Sequence, residues 1–206
     1  MDKNKFDKST EQKILESARN IFHRKGLEGA RMQEIADEAG INKAMLHYYF
    51  RSKDQLFDSV FMEAVKIIFP KIKELLNVEL PLFEKIRFFT DNYLTILMDN
   101  MYLPVFVINE INRNPKRFIK SITDKVNLTP EVFLAQINKA VKEKLIKPVD
   151  PKQLFINLMS MCIFPVLAKP MLMQIYGLDE KGYARFLGKR KTEIPEFIID
   201  SIKLKK

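Results

Sequence analysis

Apolar residues recur three and four positions apart along most of the chain, and no stretch alternates with the two-residue period of a strand over a useful length. Ile14, Leu15, Ala18, Ile21 and Phe22 follow the capping-box pattern Ser9-Thr10-Glu11-Gln12. They run to Lys25-Gly26, where glycine can supply the left-handed residue that ends a helix. Ile35, Ala36 and Ala39 keep the helical spacing, Gly40 interrupts it, and a further short helix starts at Asn42, whose side chain can accept from first-turn amides. The spacing predicts three short helices that bury Phe22, Leu27, Ile35, Ala39 and Leu46 together, the last two forming a helix-turn-helix.

Ser52-Lys53-Asp54-Gln55 is a second capping box and opens a longer helix with Leu56, Phe57, Val60, Phe61, Ala64, Val65, Ile68 and Phe69 on its apolar side; Pro70 predicts a bend or restart. No Gly/Ser-rich or Pro-rich spacer precedes it, so the two domains, expected over 1–51 and 52–206, should move as coupled bodies. Pro81, Pro104, Pro115, Pro130 and Pro151 then mark helix starts. They predict helices near 82–99, 104–113, 115–126, 130–145 and 151–168, with a tail helical over Asp179–Leu187 and again over Thr192–Lys203. The expected fold is all-α.

Composition changes this picture little. Hydrophobic residues are 47% and charged residues 30% of 206, ordinary for a globular protein. The N-terminus alternates charge and lacks the apolar core of a signal peptide, and the single cysteine, Cys162, excludes an intrachain disulfide or a thiolate-based zinc site, so a cytoplasmic location is expected. The most apolar run, Leu154–Ala168, is shorter than the roughly 20 residues of a bilayer span and contains Asn157, Ser160 and Pro165, so no membrane partner is expected. The net charge of +9 suggests a polyanion, yet residues 1–52 hold ten Lys/Arg against eight Asp/Glu. A case for nucleic acid therefore rests on the local motif, whose second helix carries Lys43, His47, Tyr48 and Tyr49 outward.

From about Thr10 to Phe57 the chain resembles the tetracycline-repressor (TetR) family of bacterial transcription regulators. The resemblance is carried by Ile14-Leu15, Ala18, Phe22, Lys25-Gly26, Met32, Glu34-Ile35-Ala36, Ala39-Gly40-Ile41, Leu46-His47-Tyr48-Tyr49-Phe50 and Ser52-Lys53-Asp54-Gln55-Leu56. It implies contacts to double-stranded DNA from Arg31, Asn42, Lys43, Ala44, Met45, His47, Tyr48, Tyr49 and Lys53. Ala30 and Arg31 stand where the family usually has a capping Thr or Ser, Asn42 replaces a common Ser, Met45 a small polar residue, and His47 a Tyr. Met45 cannot donate a strong hydrogen bond to a base edge, so an apolar contact such as a thymine methyl is expected there.

The resemblance also implies an effector cavity among the helices of the second domain, which is rich in Phe and Met. Phe88, Tyr93, Met101, Tyr102, Phe106, Phe118, Phe133, Phe155 and Met159 are the expected lining of a site for a small hydrophobic effector, with Asn109 as a polar anchor. Core packing is the alternative for any one of them. Leu154–Ala168 and Phe197–Ile202 are apolar on more than one face, and the resemblance implies that helices near 151–168 and 192–203 pair with a second copy. The expected function is a dimeric repressor released from a palindromic operator by that effector; the alternative is a DNA-binding regulator controlled by a protein partner or without a small-molecule ligand. No Gly-rich phosphate loop, paired-ligand metal spacing or nucleophile elbow is present, and both histidines lie in the N-terminal module. No enzyme, cofactor, catalytic residue or metal site is expected.

Overall fold

The computed structural model of the protein describes residues 3–113, 115–116 and 130–204, and among these the chain is helical without a strand. It divides into two compact units, Met1–Ile67 and Ile68–Lys206.

The first unit opens with α1 (Lys3–Gly29), α2 (Met32–Glu38) and α3 (Lys43–Tyr49). α1 is already helical at Lys3, so Ser9–Gln12 lies within the helix and does not start it; residues 3–8 contain no glycine or proline to break it. Gly26 takes φ 66° and ψ 178°, a kink that lets Leu27 turn into the core beside Phe22, Ile35 and Leu46. Ala39 is only half-buried, because it caps α2 and does not face inward.

α4 (Lys53–Asn77) runs through Pro70 without the expected restart, at the cost of the hydrogen bond to the Lys66 carbonyl. Its start is the capping box read from sequence, with Ser52 Oγ accepting from the Gln55 amide at 3.1 Å and Gln55 Oε1 accepting from the Arg51 amide at 3.2 Å. The first half of α4 packs on α1: Phe57 meets Phe22 edge-on at 5.1 Å, and Arg19 pairs with Glu63 at 2.6 Å. These contacts place residues 52–67 with the N-terminal unit, past the boundary expected at 51/52.

In the second unit α5 (Leu82–Asp99) is central. Ile86, Phe89, Tyr93 and Leu97 form its buried stripe. Around it lie α6 (Tyr102–Arg113), α7 (Glu131–Lys142), α8 (Pro151–Leu167), α9 (Lys169–Tyr176) and α10 (Glu180–Ile202), with α5 packed on α8 and α10. Asp150 and Asp179 cap α8 and α10, accepting from the Lys152 amide at 2.8 Å and the Gly182 amide at 2.6 Å.

Two parts of the tail differ from expectation. α9 was not anticipated, and α10 is one helix where two were expected. The polar run Gly188–Lys191 stays helical because its cations find partners: Lys191 reaches Asp91 at 3.1 Å, and Arg190 donates to the Met161 carbonyl at 3.1 Å. The helix expected near 115–126 lies, apart from 115–116, outside the described residues, as does Phe118.

Candidate functional site

The turn between α2 and α3 is built from backbone. Gly40 adopts φ 67°, its amide donates to the Asp37 carbonyl at 3.1 Å, and the Ile41 amide donates to the Ala36 carbonyl at 3.0 Å. This pair of bonds satisfies the last carbonyls of α2 and reverses the chain within two residues. Asn42 then starts α3 by accepting from the Met45 amide at 2.7 Å.

Leu46 and Phe50 are the buried anchors of α3. With 3.6 residues per turn, fixing Leu46 inward turns its neighbours outward. Lys43, Ala44, Met45, His47 and Tyr48 are exposed and Tyr49 is half-buried. Tyr48 is 79% exposed and stands edge-on to Tyr49 at 5.5 Å. A short helix that shows solvent a methionine, a tyrosine, a histidine and a lysine around its free surface is poorly suited to water and well suited to a groove.

Charge around this face is sorted by pairing. Arg24 pairs with Glu38, and Lys25 with Glu34 at 3.0 Å, whereas Arg31, Lys43 and Arg51 make no salt bridge among the described residues. Cations without a salt bridge thus stand at the start of α2, in the first turn of α3 and directly after α3, although the unit as a whole is close to neutral. Arg51 was not singled out from sequence; its place directly after α3 was the signal for it.

Arg31 is the N-cap of α2 and gives no side-chain cap. The Lys25 hydrogen bond at 3.0 Å holds the Glu34 carboxyl below the usual range. Lys53 is committed elsewhere. Its ammonium donates to the Ala30 carbonyl at 3.1 Å and the Glu28 carbonyl at 3.4 Å, which ties the start of α4 to the end of α1.

In the second unit, Tyr93 and Phe133 are buried, and Met101, Phe155 and Met159 pack half-buried against the same cluster. Phe133 meets Phe155 edge-on at 6.1 Å, and Tyr93 stacks on Phe89 at 5.2 Å. Tyr102 and Phe106 are half-buried on α6. Phe88 and Asn109 lie nearer the surface. Phe88 is 38% exposed because the buried stripe of α5 passes through Phe89, one position on, and Asn109 is exposed near the end of α6.

Several buried polar groups here were missed from sequence. Lys85 is 2% exposed and donates to the Leu76 carbonyl at 3.4 Å, one of the carbonyls the end of α4 leaves open; burial pushes its pKa down. Tyr183 is buried and donates to the Pro165 carbonyl at 2.7 Å, with its pKa pushed up to about 12 by burial. Burial also pushes the Cys162 thiol up to about 12. Such a thiol is protonated at neutral pH and a poor nucleophile.

Large apolar side chains are exposed along α8, α9 and α10, among them Ile156, Phe164, Met171, Ile175, Tyr176 and Phe197. Among the described residues no single helix is long and apolar enough to cross a membrane. No group of three or more His, Cys, Asp or Glu that could hold a metal occurs among the described residues.

Residues 14–60 match the sequence profile of bacterial regulatory proteins of the tetR family. The chain is 26% identical over 184 residues to the biofilm-operon negative transcriptional regulator IcaR of Staphylococcus epidermidis, a match covering 84% of this chain and 91% of IcaR. Its fold is similar to that of the Bacillus subtilis transcriptional regulator FadR in complex with stearoyl-CoA (TM-score 0.64, 15% identity, 91% of this chain and 97% of FadR). It is also similar to AibR in complex with isovaleryl coenzyme A and operator DNA (TM-score 0.60, 20% identity, 76% of this chain and 85% of AibR).

Proposed function

We propose that this chain, whose residues 14–60 match the tetR family of bacterial regulatory proteins, is a cytoplasmic dimeric repressor released from a palindromic operator by a small hydrophobic effector. The observation that carries this reading is α3 itself: Leu46 and Phe50 hold it from beneath, while Lys43, Met45, His47 and Tyr48 are exposed.

Lys43, in the first turn of α3, is assigned a base or phosphate contact. Tyr48 and Tyr49 donate hydroxyls to phosphates, and Arg31 and Arg51 add charge. Met45, 43% exposed and without a strong donor, fits a thymine methyl in the major groove. The exposed side chains Ile156, Phe164 and Phe197 support pairing of α8 and α10 with a second copy. A two-fold dimer sets half-site centres about 34–36 Å apart, or a multiple of that.

The aromatic and thioether groups Tyr93, Met101, Phe133, Phe155 and Met159 support an apolar effector site, as do the acyl-CoA ligands of FadR and AibR. An effector that prefers one conformation of the dimer shifts the population away from the one that fits the groove. The test combines light scattering with DNA-binding titrations in the presence of hydrophobic compounds. A dimer that binds a palindrome and is released by such a compound is the expected result; a monomer, or DNA binding indifferent to every compound, contradicts it.

A further inference from the structure

The chain carries ten methionines and one cysteine, the two kinds of side chain that peroxide oxidises at sulfur. Cys162 is fully buried, and burial keeps its thiol protonated at neutral pH, so it reacts slowly. Among the described methionines, Met45 is 43% exposed and Met171 48%, and the others are half-buried. Oxidation therefore reaches the chain first at two thioethers. Met171 lies on α9 and Met45 on α3.

The place of Met45 is fixed by its neighbours. Its amide donates to Asn42 Oδ1 at 2.7 Å, which holds its backbone in the first turn of α3, and the fully buried Leu46 beside it sets which side of the helix faces the core. Tyr48, exposed, follows three positions on, and residues three apart share a helix face. The thioether thus stands in the surface assigned above to DNA, and its fitness for a thymine methyl comes from being apolar. A sulfoxide at the same position adds an S–O dipole that a methyl group cannot satisfy.

We infer that Met45 is an oxidation site through which hydrogen peroxide releases the protein from DNA. The inference rests on the repressor reading above and adds to it a regulatory input that acts on the first unit directly. A lone pair of the Met45 sulfur attacks one oxygen of the peroxide, and the S–O bond forms as the O–O bond breaks. The departing hydroxide takes the proton of the new sulfur-bound hydroxyl and leaves as water, so that sulfur loses two electrons and the peroxide gains them. A sulfoxide pressed against a methyl group costs about ten-fold in affinity. Reduction of the sulfoxide returns the thioether, which makes the change reversible.

The experiment treats the full-length protein with hydrogen peroxide, locates sulfoxides by peptide mass spectrometry, and measures affinity for the duplex that untreated protein retains from a random library. It is run on the wild type, Met45→Leu and Met171→Leu. Sulfoxide is expected at Met45 and Met171 ahead of the half-buried methionines, and bound duplex should slow oxidation at Met45 and not at Met171. The wild type and Met171→Leu should each lose about ten-fold in affinity on treatment and regain it with methionine sulfoxide reductase and a thiol reductant. Met45→Leu, whatever its starting affinity, should keep it through the same treatment. The inference is overturned if Met45 escapes oxidation, if bound duplex gives it no protection, if the oxidised protein binds as tightly as before, or if Met45→Leu loses affinity as the wild type does. Each of these leaves the repressor reading standing, since the untreated protein has bound its duplex. Failure of the untreated protein to retain any duplex removes the repressor reading and this inference together.

Discussion

The Lys53 ammonium sits 3.1 Å from the Ala30 carbonyl. A lysine with the sequence position of a phosphate contact is thereby held against the polypeptide, where it joins the ends of two helices across 23 residues of chain.

Lys53→Ala is therefore expected to lower unfolding stability by about 1 kcal/mol, the net worth of a typical hydrogen bond, and to leave the salt dependence of DNA binding unchanged. Lys43→Ala should do the reverse, with stability intact and a salt slope smaller by about 1 per contacted site. Denaturant melts and anisotropy titrations at several salt concentrations separate the two. A slope that falls for Lys53→Ala and not for Lys43→Ala exchanges the roles.

Asn42 should behave as a cap whose loss is felt at the DNA. Asn42→Ala removes the acceptor for the Met45 amide, and a cost of about 1 kcal/mol is expected, with weaker operator binding because Met45 and Lys43 lie on the turn that frays. Asn42→Ser should keep both properties close to wild type. Equal melts for Ala and Ser variants would remove the cap from the account.

Phe164 and Phe197 are exposed on α8 and α10. Replacing either with Glu places a charge where the second copy is expected to pack, so light scattering should show a monomer and operator affinity should fall. The circular dichroism melt of the variant should retain its cooperativity, since neither side chain supports the core. Persistence of a dimer in both variants moves the interface elsewhere.

Alkaline pH should destabilise the second unit through Tyr183 and Cys162. Their folded-state pKa values of about 12 lie above the ordinary values of 10.0 and 9.0. The stabilisation is thus fully present below pH 9 and is lost between about pH 9 and 12, as the unfolded chain gives up protons that the folded chain keeps. Lys85 acts in the opposite sense, because burial lowers its pKa and raising the pH relieves the cost of its charge. Urea midpoints measured from pH 7 to 11 should fall above pH 9 in the wild type and fall less in Tyr183→Phe. A midpoint that rises across this window would contradict the assignment.

What the sequence made legible is local. Asn42, Asp150 and Asp179 announce helix starts because a cap and its amide lie within three residues of each other. Gly40 announces the turn because few other residues take its backbone angle. The exposed face of α3 follows from Leu46 alone. Features closed across the fold were not legible: Lys53 reaches Ala30, Arg190 reaches a carbonyl opened by a proline on another helix, and Lys85 covers the last turn of α4. Phe88 and Phe89 show how narrow the margin is. Adjacent identical residues fall on opposite sides of the helix surface, and packing with α8 and α10 decides which is core. α9 is eight residues long and apolar on most sides, too short for a period to emerge.

The claim that α3 reads a two-fold operator is tested most directly by selecting duplexes from a random library with the full-length protein and sequencing what is retained. The account predicts an inverted repeat with half-site centres separated by about one helical turn or a multiple of it, and a Met45→Ala variant that loses preference at one thymine in each half-site. Enrichment of a single unrepeated site, or no enrichment above the starting pool, would contradict it.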